Sequence, residues 1–73
     1  MRHNLKAARK AKGLTQQALA DKLYLSLRYY KSIESGERLG GIDLWDKMED
    51  IFNIHQRTLR EISETRPGKE DNP

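Results

Sequence analysis

Apolar residues recur at three- and four-residue steps along most of the first sixty positions, and a few defined residues break the rhythm. From Arg2 to Lys12 helix-forming residues run unbroken, with Leu5, Ala8 and Ala11 on one face and five basic residues elsewhere, until Gly13 stops the segment. Thr15 follows, where a hydroxyl can accept from the orphan amides of a first turn. It predicts the N-cap of a short helix from Gln16 to Leu23 that buries Leu19, Ala20 and Leu23. Ser26 offers a second cap and opens a helix from Leu27 to Ser35, with Tyr30 and Ile33 inward and Gly36 at its end. Three glycines within Gly36 to Gly41 read as a loop that exposes Glu37 and Arg38.

The strongest amphipathic signal comes next. Ile42, Trp45, Met48 and Phe52, with Leu44 and Ile51 beside them, predict a fourth helix that Asn53 ends, and Ile54 plugs the core. A last short helix, Gln56 to Ser63, carries Leu59 and Ile62. From Thr65 to Pro73 there are two prolines, a glycine and four charges but no sizeable apolar group, the composition of a disordered tail. The expected organisation is all-α: a compact five-helix domain over residues 1–64 and a tail over 65–73.

Seventy-three residues are about half of the ~150 that serve as a prior for one domain, so a second, ligand-sensing lobe and a small-molecule ligand are not expected. The absence of cysteine removes disulfides, thiolate zinc sites and cysteine nucleophiles together, and suits a reducing cytoplasm. No apolar run approaches the ~18 residues that span a bilayer, and no secretory signal opens the chain, so a cytoplasmic, unprocessed protein away from membranes is expected. His3 and His55 have no partner at metal-ligand spacing, and no nucleophile–base pair or glycine-rich phosphate loop is present. The sequence therefore reads as a non-enzyme without metal or cofactor. Asp43, Asp46, Glu49 and Asp50 lie on the helix whose other face is Trp45, Met48 and Phe52, and read as a solvated face.

Charge changes the picture more. Residues 1–41 hold nine Lys and Arg against three acids, a net of +6, whereas residues 42–73 hold five against eight, a net of −3. A basic front half points to a polyanion. Within it, two short helices are separated only by Tyr24, Leu25 and the cap Ser26, so they must cross steeply, as in a helix-turn-helix whose second helix enters the major groove of DNA. With Leu25, Tyr30 and Ile33 inward, the helical period leaves Leu27, Arg28, Lys31 and Ser32 outward. Leu27 suits a thymine methyl, Arg28 suits guanine O6 and N7, Ser32 suits either base edge, and Lys31 suits a phosphate equally well. Tyr29 and Tyr30 are adjacent and face differently, so Tyr29 is left for a phosphate or for rim packing.

The run Gly13-Leu14-Thr15-Gln16-Gln17-Ala18-Leu19-Ala20-Asp21-Lys22-Leu23, then Leu25-Ser26, then Ile33-Glu34-Ser35-Gly36-Glu37-Arg38, resembles the helix-turn-helix of Cro/C1-type phage repressors and the wider XRE family of regulators. The resemblance covers roughly residues 2–64 and implies the lambda-repressor-like fold. It implies that Thr15 and Gln16 contact DNA phosphates, Gln16 also bracing the recognition helix. Leu27, Arg28 and Ser32 fall on the family's base-reading positions with Lys31 between them. Tyr29, Ser35 and Arg38 fall on backbone-contacting positions, and Arg9 and Glu34 on a structural ion pair. The sequence departs from the pattern at Tyr24, where the family has a glycine, and at Tyr30, where it has an aliphatic core residue. Gly40-Gly41 stands where the family has a proline-containing loop, which implies greater mobility there.

The expected function is a sequence-specific regulator of double-stranded DNA, working as a dimeric repressor on a two-fold operator with half-sites about one helical turn apart. Leu59 and Ile62 are the candidate dimer surface. The alternative is an antitoxin-like module that binds a partner protein and autoregulates its operon.

Overall fold

The computed structural model describes residues 1–62. Ser63 and the segment 65–73, read above as a helix end and a tail, lie outside the described residues. Five helices follow in order: α1 (His3–Ala11), α2 (Gln16–Lys22), α3 (Leu27–Ser35), α4 (Ile42–Phe52) and α5 (Gln56–Arg60). The architecture is the expected all-α one. α1 packs on α5 and α3, α2 on α3, and α4 on α5.

Each boundary has a local cause. The Thr15 hydroxyl accepts from Ala18 N at 3.0 Å and the Ser26 hydroxyl from Tyr29 N at 3.1 Å, which satisfies an orphan amide at the head of α2 and of α3. Gly36 closes α3 at φ 92°, a left-handed conformation that costs glycine little. Asn53 does the same for α4 at φ 55°, its amide donating to Glu49 O at 2.7 Å. α5 is capped by a side chain with no hydroxyl: His55 Nδ1 accepts from Arg57 N at 3.0 Å.

One core unites the helices. Leu5 and Ala8 of α1, Leu19 and Ala20 of α2, Tyr30 and Ile33 of α3, Leu44, Trp45, Met48 and Phe52 of α4, and Leu59 of α5 are buried together with Leu23. Leu25 and Ile54 are half-buried and pack against that core. Ile42, expected on the inner face of α4, is 75% exposed. The buried stripe runs Leu44, Trp45, Met48 and Phe52, and Ile42 falls to the side of it at the helix's first position.

The loop between α3 and α4 is tied by hydrogen bonds on both sides. Arg38 N donates to Ser32 O at 3.1 Å, and the Trp45 indole donates to Leu39 O at 2.7 Å. A Cβ added to Gly40, at φ 80°, would lie 2.8 Å from Leu44 and 3.0 Å from Ile33. Glycine here lets the backbone approach the core.

Candidate nucleic-acid interface

α2 and α3 are joined by a four-residue link, Leu23 to Ser26, whose reversal falls on Tyr24 at φ 59°. A side-chain-bearing residue thus occupies the left-handed position that a glycine would fill without steric cost. Its ring is 88% exposed, and Lys47 Nζ from α4 lies 5.4 Å from the ring centroid. Leu25 N donates to Ala20 O at 2.9 Å, so the turn is closed by its own backbone.

Behind the turn sits a buried polar cluster on Glu34. Its Oε1 accepts from Arg9 Nε at 3.0 Å and from the Tyr30 hydroxyl at 2.6 Å. Its Oε2 accepts from Arg9 Nη2 at 3.2 Å and from the Gln16 amide at 3.4 Å. Burial pushes the Glu34 carboxyl up, but donors from Arg9 and Tyr30 and the Arg9 charge outweigh it, holding the group below the usual carboxylate range. The bond to Glu34 raises the Arg9 pKa against the opposing effect of burial. Burial first, then the bond to Glu34, push the Tyr30 phenol up, so it is a neutral donor. Tyr30 is fully buried and turned inward, as its place on the inner face of α3 predicts. α1, α2 and α3 thereby meet on one carboxylate, and Gln16 is tied to α3 through it.

On the other side of α3 an open groove is walled by the cations Arg28, Lys31 and Arg38 together with Tyr29 and the hydroxyls of Ser26, Ser32 and Ser35. Glu37 is the one acid on its wall. Of the residues singled out in the sequence, the structure brings Arg28, Lys31, Ser32, Tyr29, Ser35 and Arg38 into this groove. Thr15 and Gln16 stand apart at the head of α2, and Leu27 is half-buried at the head of α3 without lining the groove. Ser26 joins the wall although sequence reasoning gave it only a capping role.

The hydroxyls differ in what they have left to offer. Thr15 and Ser26 accept backbone amides and keep a hydrogen to donate, which suits phosphate oxygens. Ser35 donates to Ser32 O at 3.1 Å and accepts from Glu37 N at 3.3 Å, so the end of α3 engages it at both ends.

Two further placements bear on function. Arg2 is 1% exposed: its guanidinium donates to the carbonyls of Arg60, Ile33 and Arg38 and lies 5.2 Å from the Trp45 ring centroid. Burial and the nearby Arg60 charge lower its pKa. It fastens the ends of α3 and α5 to the loop that carries Arg38, a role invisible in a sequence where it reads as one more basic residue. Leu59, offered above as a dimer contact, is wholly buried within the protomer, because α5 turns it into the core against α1 and α4. Its side chain cannot also be a surface. Ile62 is 48% exposed, as are Leu39 at 63% and Ile42.

No helix among the described residues is long and apolar enough to cross a membrane. A family model described as helix-turn-helix matches residues 5–59, about three quarters of the chain. Searches of curated proteins and of solved structures return no match. The matched stretch holds the capped pair α2 and α3, the tight turn and the cation-lined groove, and the chain belongs to the Cro/C1-type (XRE) helix-turn-helix family of DNA-binding domains.

Proposed function

We propose that the protein is a sequence-specific transcriptional regulator that reads the major groove with α3 and represses, as a two-fold dimer, by occluding polymerase. The observation that carries this reading is the groove along α3, where Arg28, Lys31 and Arg38 share one open wall with Tyr29 and three hydroxyls. Arg28, Ser32 and Leu27 are the base readers, with Lys31 between a base and a phosphate. Thr15 and Gln16 at the head of α2, Tyr29 and Arg38 hold the sugar–phosphate backbone. The site of action is the cytoplasm.

In this reading dimerisation uses the exposed Ile62 rather than the buried Leu59. A cation closing on a base edge discriminates, whereas one closing on a phosphate does not. Arg28→Ala is therefore expected to relax the sequence preference at one position by ~1–3 kcal/mol. Arg38→Ala is expected to weaken every duplex alike and flatten the salt slope by about one. Fluorescence-anisotropy titrations of both variants against a selected duplex and its single-position substitutions separate the two; identical losses on every duplex would refute the assignment of the reading face.

A further inference from the structure

Ser32 is engaged in the opposite sense to the two capping hydroxyls. Its Oγ lies 2.6 Å from the carbonyl oxygen of Tyr29. A carbonyl oxygen can only accept, so the hydroxyl is the donor and its single hydrogen is committed to the backbone. Toward the groove the side chain is left with lone pairs. Ser32 is half-buried and lies on the helical face of Arg28, one turn earlier, and both line the groove. Rotating the hydroxyl outward to donate would break that short bond and leave the Tyr29 carbonyl with one partner fewer.

The major groove asks for opposite partners from the two kinds of base edge. Guanine O6 and thymine O4 accept, whereas the exocyclic amines of adenine and cytosine donate. We propose that Ser32 is an acceptor-only base reader that selects adenine or cytosine, against guanine or thymine, on the strand it faces. The proposal rests on α3 being the recognition helix, as argued above, and narrows the expectation that Ser32 suits either edge. It sets Ser32 against Arg28, whose guanidinium offers donors alone. Two side chains one helical turn apart then ask for opposite chemistry, a keto or N7 acceptor at Arg28 and an amine at Ser32.

The test is selection of bound duplexes from a random library by the wild type and by Ser32→Ala, with circular dichroism to report that the variant is helical. The wild-type site is expected to hold one position per half-site restricted to adenine or cytosine, which Ser32→Ala opens to all four bases. In the selected duplex, replacing that adenine by purine, or that cytosine by 2-pyrimidinone, removes the amine. This should weaken the wild type about fivefold more than it weakens the variant. The amine deletion on the wild type alone keeps the idea testable should Ser32→Ala misfold, since a wild type indifferent to the amine overturns it. So does a variant that relaxes no position. A wild type that enriches no sequence overturns the recognition-helix reading and this proposal together; a selected site indifferent to Ser32 overturns this proposal alone.

Discussion

Glu34 accepts from Arg9, Tyr30 and Gln16 while itself 2% exposed, so its ionised form is worth more in the folded chain than in water. Its folded pKa lies below the unfolded one of ~4.3, so the stabilisation is complete above that value and is lost as pH falls through the folded pKa. Urea unfolding across ~pH 2.5 to 7 should show this acid limb. Glu34→Gln should flatten it and, by leaving Arg9 buried without a counter-charge, lower neutral-pH stability by about 3 kcal/mol. An unchanged acid limb in the variant would assign the pH dependence elsewhere. The pair of Arg9 and Glu34 was legible through the family resemblance, but the Tyr30 phenol completing it was not. A tyrosine at an aliphatic core position has a hydroxyl that must find a partner, and only the fold shows that the carboxylate four residues on supplies it. Arg2 was illegible for a stronger reason. Its partners are backbone carbonyls of three distant segments, and no residue type in the sequence encodes them.

Helices α1 to α4 were legible because their signals are local: hydroxyl caps at Thr15 and Ser26, stops at Gly13 and Gly36, and apolar residues at helical spacing. Their phase was less so. Ile42 fits the three-residue step to Trp45, yet the helix begins there and the core lies under Leu44 and Trp45 instead. Leu59 fits a short amphipathic helix either as core or as interface, and only the packing of α5 on α1 and α4 decides. The turn between α2 and α3 is where the chain carries visible strain. Tyr24 holds φ 59° with its ring in solvent, and its pairing with the Lys47 ammonium is an exposed one that contributes little. Tyr24→Gly should relieve the left-handed strain and stabilise the fold by about 1 kcal/mol net, a rise of several degrees in Tm for a domain of this size. Differential scanning calorimetry reads it directly; a lower Tm would mean that the ring, not the backbone, dominates at the turn.

Across the whole molecule, the net +6 of residues 1–41 gathers three of its cations on the α3 groove, while α4 turns Asp43, Asp46 and Asp50 to solvent. One face is thereby suited to a polyanion and the other repels it. Among the exposed apolar side chains, Leu39, Ile42 and Ile62 do not line the groove. In the proposed dimer Ile62 is covered by the second copy, so Ile62→Asp should halve the mass found by sedimentation at micromolar concentration while leaving the helical content intact. An unchanged mass would place the two-fold contact elsewhere. In the proposed function this groove reads sequence and does not merely attract charge. The most direct measurement titrates a library-selected duplex and a scrambled one of equal length, with wild-type protein, from ~50 to 200 mM salt. Both affinities should fall with salt, while the selected duplex stays at least ~10³-fold tighter near physiological salt. Equal affinity for the two duplexes throughout would contradict that reading.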